Sequence, residues 1–276
     1  MERSSNLLDE ALGIIYDNSS LSSSSSSLPN GSCVLIEDCV ETSASFVIHH
    51  ILKRSLSPNS SSSVVFLSLS HPFSHYDRIL RKLGCNLAAQ RDNRRFFFFD
   101  MLMLGCTEQS LGNIHSGGLI ELYGKIQKAI EDSNSSSGNS KCITIVLDDF
   151  SLIEVAAKGS FNHSLDFLRY CYTLTSEFGC SLVILNHEDI YLEEESATPI
   201  LQMEYLANIL IKAEPLSTGL AADVHGQLTV LNKGTYDKTR NSMNKGLGLE
   251  ERAWSHGQLM RNVVPSRLGV PSMLRV

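Results

Sequence analysis

Several features that would narrow the function of this 276-residue chain at once are missing from it. Its seven cysteines form no C-x-x-C pair, and Cys33, Cys142, Cys171 and Cys180 sit in apolar runs where a thiol acts as a small hydrophobe. Reduced core cysteines are the expectation. His71 and His75 have i, i+4 spacing, but Pro72 suits the first position of a helix, leaving His71 as a cap and His75 one turn in. With no third ligand nearby, no metal site is expected. No apolar run is long enough to cross a bilayer, and Met1-Glu2-Arg3-Ser4-Ser5 lacks the basic-then-apolar pattern of a secretion signal. An intracellular protein without membrane contact is expected. Serine is abundant, yet no G-x-S-x-G elbow makes one of them a nucleophile.

What is present is a globular composition, 42% hydrophobic and 19% charged, with length for one large α/β domain or two small ones. The net charge of −7 argues against a stand-alone nucleic-acid binder, because backbone affinity comes largely from neutralised phosphates. The charge is uneven. Between Asn186 and Asp223, Glu188, Asp189, Glu193, Glu194, Glu195, Glu204, Glu214 and Asp223 face Lys212 alone. From Asn232 onward Lys233, Lys238, Arg240, Lys245, Arg252, Arg261, Arg267 and Arg275 outweigh Asp237, Glu250 and Glu251. That basic segment could complete an RNA site shared with other subunits.

Leu7, Leu8, Ala11, Leu12 and Ile15 recur at helical spacing, which predicts an amphipathic helix from Ser5 to Tyr16 packed against the main body. The run Ser19 to Ser27 reads as a linker, giving residues 1–28 as helix and linker and 29–276 as one domain. Serine-rich patches at Ser57–Ser63 and Ser133–Ser140 read as insertions at loop tips. Between them strands and helices alternate. The predicted strands are Val34–Glu37, Val64–Ser68, Phe96–Met101, Ile143–Asp148 and Leu182–Asn186; the helices are Ala44–Arg54, Phe73–Leu83, Gly118–Glu131 and Phe161–Phe178. Such alternation demands a mainly parallel sheet covered on both faces. Tyr205–Ala213 and Gln227–Asn232 read as antiparallel edge strands, Asn232–Gly248 as a polar loop and Arg252–Val264 as a last irregular strand.

Two strands carry the chemistry-like signal. Cys142-Ile143-Thr144-Ile145-Val146-Leu147-Asp148-Asp149 is a β-branched run ending in carboxylates, as is the strand that orients Mg²⁺ in P-loop ATPases. Cys33-Val34-Leu35-Ile36-Glu37-Asp38 should then lead into a glycine loop. Aligned on G-x-x-x-x-G-K-[ST], the glycines become Glu37 and Thr42, the lysine Ser43 and the last position Ala44. A phosphate cradle needs close backbone approach and a cation; Glu37, Asp38 and Glu41 would repel a triphosphate.

This pattern resembles the RecA-like ATPase fold: three layers, a mainly parallel sheet with helices on both faces, antiparallel edge strands and a degenerate phosphate loop. The Ile36-Glu37-Asp38-Cys39 start, Ile145-Val146-Leu147-Asp148-Asp149-Phe150, Val183-Ile184-Leu185-Asn186-His187 and the late hairpin resemble the Elongator complex protein 6 family from about Pro29 onward, and the serine tracts suit a plant member. The resemblance implies a non-catalytic subunit joined to Elongator proteins 4 and 5 in a heterohexameric ring. That ring is the accessory part of Elongator in cytoplasm and nucleus. It binds transfer RNA, and the catalytic subcomplex modifies the wobble uridine. No cofactor is implied; Asp148 matches the Mg²⁺-orienting aspartate as a vestige, and His71 falls near the water-orienting glutamate.

Two other readings compete: a metal-dependent hydrolase with Glu37, Asp38, Asp148 and Asp149 around Mg²⁺, and a regulatory homologue that binds nucleotide without hydrolysing it. Subunit contacts are expected around Leu8, Leu12 and Ile15 and around Leu210 and Val230. Channel-facing loops are expected at Phe150–Gly159 and His187–Pro199, and RNA contacts at Lys158, Lys233, Lys238, Arg240 and Lys245.

Overall fold

The computed structural model describes residues 7–14, 27–58, 60–102, 116–135, 142–157, 160–191, 198–216, 224–233 and 260–265. The elements run α1 (Leu7–Ala11), β1 (Cys33–Asp38), α2 (Ser45–Ser55), β2 (Ser63–Ser68), α3 (Phe73–Lys82), α4 (Leu87–Asp92), β3 (Phe96–Asp100) and α5 (Ser116–Ser135). Then come β4 (Ile143–Leu147), α6 (Ser151–Ala156), α7 (Phe161–Phe178), β5 (Ser181–His187), α8 (Thr198–Leu206), β6 (Ile209–Glu214), β7 (Val224–Asn232) and β8 (Met260–Pro265). A short 3₁₀ turn, Glu188–Tyr191, follows β5.

One sheet holds all eight strands in the order β3-β2-β4-β5-β1-β6-β7-β8. Neighbours from β3 to β6 are parallel, β7 is antiparallel to β6, and β8 is antiparallel to β7. Side chains of a strand alternate between faces, and the apolar runs divide accordingly. Leu35, Val65, Leu67, Ile145, Leu147, Leu182 and Ile184 pack under α5 and α7. Val34, Ile36, Val64, Phe66, Val146, Val183 and Leu185 pack under α1, α2 and α3. Each such side chain contributes about 1.5–3 kcal/mol by leaving water, so burial on both faces explains why the strands read as continuous apolar runs. No helix among the described residues is long and apolar enough to cross a membrane.

The structure differs from the sequence reading where tertiary contacts override local pattern. Helix α1 stops at Ala11, because Gly13 at φ +69 lets its own N–H reach the Glu10 carbonyl and the Ile14 N–H reach that of Asp9; Ile15 lies outside the described residues. Leu12 is fully buried, and Asp9 binds His50 (2.7 Å) and Arg54 of α2. Leu12, with Leu210 and Val230, belongs to the chain's own core rather than to an exposed subunit contact. Helix α8 takes Tyr205 and Leu206 from the predicted strand, and β6 is parallel to β1, so it is an interior strand. Helices α4 and α6 were not foreseen; Asn86, whose side chain accepts from the Ala89 N–H, marks the start of α4. The cap position of α3 is Pro72 rather than His71. The edges of the serine tracts are folded too: Ser63 opens β2, and Ser133 is buried in α5.

Gly226 fixes how closely β7 approaches the turn after β1. A Cβ there would sit 2.5 Å from the Thr42 Cγ2 and 2.8 Å from the Glu214 carbonyl oxygen. The methyl of Thr42 can yield, but the β6 backbone cannot without disturbing the ladder. Gly226→Ala is expected to lower stability by about 1–3 kcal/mol in a urea titration, whereas Gly124→Ala, with open space around it, should not lower it.

Candidate functional site

The carboxyl edge of the parallel strands is where α/β proteins place ligands, and here the chain fills it with its own groups. After β1 the backbone makes a tight turn, with the Thr42 N–H on the Cys39 carbonyl at 3.0 Å. That turn lacks the breadth to wrap a phosphate. The Asp38 carboxylate folds back instead, its Oδ2 accepting from the Ala44 N–H (2.7 Å) at the start of α2. A helix N-terminus attracts anions, so a side-chain carboxylate occupies the place where a phosphate group would be held. Ser43 turns to Ser45 (Oγ to Oγ 2.9 Å), and Ala44 is fully buried.

Asp38 is held from the other side by β5, which lies between β1 and β4. Its Oδ1 meets His187 Nδ1 at 2.6 Å, and His187 Nε2 lies 3.3 Å from Asp149 Oδ2. Both carboxylates are buried. Asp149 and Asp38 hold a proton on the imidazole and push its pKa up to about 10 against the opposing effect of burial. Asp149 also accepts from the Ser151 hydroxyl (2.5 Å). The result is a carboxylate, imidazolium, carboxylate bridge across three strand ends.

Asp148 faces the other way and is engaged through both oxygens, Oδ1 by the Leu69 N–H and Oδ2 by the other donors. It accepts from the Leu69 N–H (2.6 Å), the Ser70 N–H (3.3 Å) and the hydroxyls of Ser68 (3.1 Å), Ser70 (3.0 Å) and Tyr76 (2.5 Å). Burial pushes its pKa up, and the Tyr76 and Leu69 bonds oppose that. Its work is to tie β4 to the loop between β2 and α3.

Glu37 does not belong to the turn. It lies inside β1, opposite Lys212 of β6, and pairs with the Lys212 ammonium at 2.8 Å. Burial pushes Glu37 up to about 7, with Lys212 opposing. Burial also disfavours the charge on Lys212, but Glu204 (2.8 Å) and Glu37 more than offset it. The four carboxylates proposed around Mg²⁺ thus fall into three groups: Asp38 and Asp149 on His187, Asp148 on the β2–α3 segment, and Glu37 on Lys212. No group of three His, Cys, Asp or Glu among the described residues could hold a metal.

Beside the Asp38–His187 contact lies a cavity of about 160 Å³ lined by Ser43, His49, His71, Tyr76, Asp148 and His187, among others. Pockets for drug-sized ligands start at about 300 Å³. No lysine or arginine among the described residues lines it. His49 is neutral there, its pKa pulled down to about 4 by burial. His71, at the water-orienting position, stacks on His75 with ring centroids 4.1 Å apart.

The RNA-contact set is placed only in part. Lys233 donates to the Glu204 carbonyl (2.6 Å) in the last turn of α8, so its ammonium complements that helix end. Lys158, Lys238, Arg240 and Lys245 lie outside the described residues. The Phe150–Gly159 segment contains α6, with Phe150 and Ile153 fully buried. It is not simply a loop open to a channel. The sequence reading missed His187 as the centre of the edge; its signal was a histidine closing an apolar strand beside two carboxylate-ended ones.

A RecA-like sheet with a turn and an internal anion in place of its phosphate loop defines the class. Its architecture is shared with a KaiC-like protein of known structure from Pyrococcus horikoshii, with a TM-score of 0.54 at 13% identity over 76% of this chain and 81% of that one. The model of the family described as Elongation complex protein 6 matches residues 16–247, and the chain belongs to that family. It is 30% identical to Elongator complex protein 6 of Mus musculus over 227 residues, covering 78% of this chain and 84% of the mouse protein. The Rattus norvegicus protein is 29% identical over 204 residues, covering 69% and 76%.

The imidazolium bridge gives stability a pH dependence of fixed sign. His187 keeps its proton to about 10 in the folded chain, against an ordinary value near 6.5. Between those values the folded state binds the extra proton, so stability is full below the window and declines as pH rises through it. The melting temperature should fall from pH 6.5 to 10. In His187→Gln it should be lower at neutral pH and should fall less over that range; equal slopes would refute the bridge.

Proposed function

We propose that this chain is a non-catalytic structural subunit of a ring-shaped heterohexamer formed with Elongator proteins 4 and 5. Through that ring it serves wobble-uridine modification of transfer RNA by the catalytic Elongator subcomplex, in cytoplasm and nucleus. Membership of the family carries the subunit role in Elongator. The observation that most supports a non-catalytic part is the Asp38 carboxylate at the start of α2, clamped by His187. A site already filled by its own anion, with no lysine to meet a triphosphate, offers ATP nothing to replace water. The hydrolase alternative finds no support in carboxylates already engaged by His187, Lys212 and the β2–α3 segment, nor a nucleotide-binding regulator in so small a cavity.

Titration calorimetry of the purified chain with Mg²⁺ and ATP is expected to give no binding; micromolar affinity would overturn the closed site, and phosphate release the non-catalytic reading. Native mass spectrometry of the chain co-expressed with Elongator proteins 4 and 5 should give the heterohexamer, and its absence would overturn the subunit reading.

Transfer RNA reaches this subunit through its basic segment. Acidic Glu188 and Asp189 after β5 repel phosphate, whereas Lys233, Lys238, Arg240 and Lys245 can neutralise it together with the partners' charges. Replacing Lys238, Arg240 and Lys245 with glutamate, and keeping Lys233 because its ammonium holds the end of α8, should weaken RNA binding by the assembled ring and flatten its salt dependence while leaving assembly intact. Unchanged affinity would make this subunit's role architectural only.

A further inference from the structure

Helices α3 and α4 pack together on the sheet face opposite α5 and α7, and they carry a basic surface in a chain whose net charge is −7. Arg78, Arg81 and Lys82 are exposed on α3, Arg91 on α4 and Arg94 just after it. The acids on the two helices are Asp77, which pairs with Arg81 at 2.6 Å, and Asp92. Helix α2, packed against α3, has Lys53 and Arg54 in its last turn and no acid; Arg54 is engaged by Asp9. Ser74, Asp77, Arg78, Arg81 and Lys82 line a shallow groove along α3.

One of these arginines stands where its backbone is costly. Arg94 has φ +54, the one positive value outside glycine among the described residues. Its N–H bonds the Arg91 carbonyl (3.0 Å) and the Arg95 N–H that of Gln90 (2.9 Å), the motif in which a left-handed residue, usually glycine, closes a helix. Helices α1, α3 and α7 end on Gly13, Gly84 and Gly179, each with positive φ. A side chain in that conformation crowds its own carbonyl. The helix dipole favours a cation there, but Arg91 in the last turn of α4 already supplies one. Arg94 thus holds a charge at a position where the backbone favours glycine, and a side chain placed against that preference points to a ligand. None of the large exposed apolar side chains among the described residues lies on α3 or α4, so the face lacks the anchors from which protein interfaces draw affinity. Exposed arginines without such anchors suit phosphate, which a guanidinium binds through two parallel N–H groups. We propose that the α3–α4 face binds the phosphate backbone of RNA, as a contact separate from the basic segment after Asn232.

The choice of transfer RNA as the ligand rests on the subunit reading, whereas the face itself does not. Binding of fluorescent transfer RNA is therefore measured for the purified chain at low salt and for the ring formed with Elongator proteins 4 and 5. Arg94→Gly should bind more weakly, with the slope of log affinity against log salt reduced by about one. Its melting temperature should stay the same or rise, because glycine adopts φ +54 without crowding. Arg94→Lys should keep the wild-type slope. The triple variant Arg78→Gln, Arg91→Gln, Arg94→Gly should weaken binding at least about tenfold, with the ring still assembled in native mass spectrometry. Wild-type affinity and slope in Arg94→Gly and in the triple variant would overturn the face, as would a lower melting temperature in Arg94→Gly, which would make that side chain structural. Loss of ring assembly would make the face a protein contact and overturn it too, and so would absence of binding by wild-type chain and ring alike. Binding by the chain that the triple variant abolishes, beside a wild-type ring that fails to form or to bind, would uphold the face and refute the subunit reading.

Discussion

The proton held on His187 is the contact on which the functional edge of this fold depends. β5 lies between β1 and β4, so the side chain at its carboxyl end is the one group that can reach both Asp38 and Asp149. Two buried carboxylates at the strand ends on either side of β5 would repel each other with little solvent to screen them. The imidazolium removes that cost. Asp38 also accepts from the Ala44 N–H just before α2, so the same carboxylate ties β5 to the start of that helix.

The same logic recurs along the sheet edge. Asp148 collects five donors from the β2–α3 loop and α3, and Glu37 and Glu204 share the ammonium of Lys212. Groups that in an active ATPase would face nucleotide, metal and water instead hold neighbouring segments of the chain together.

How much of this was legible in the residues follows from the range of each interaction. The interior strands β1, β2, β4 and β5 and the long helices α5 and α7 were legible because burial on both sheet faces writes itself as uninterrupted apolar runs and 3.6-residue spacing. The loss of the phosphate loop was legible from Glu37, Thr42, Ser43 and Ala44 alone, since a cradle requires glycine and lysine. Helix α8 was not, because Tyr205 and Leu206 carry strand-compatible side chains and only packing of Met203 and Ala207 on the core decides their state. Nor was the parallel pairing of β6 with β1, which a hairpin signal cannot reveal.

The sequence by itself therefore determined the fold class, the lack of glycine and lysine at the phosphate-loop positions and the split between an acidic middle and a basic end. These depend on composition and local spacing, which folding does not change. The tertiary structure decided what each carboxylate does. Glu37 and Asp38 are neighbours in the chain, but the strand pleat sends one to Lys212, 175 residues on, and the other to His187, 149 residues on. Partners that far apart in sequence leave no periodic mark; only the strand order brings them within hydrogen-bonding distance.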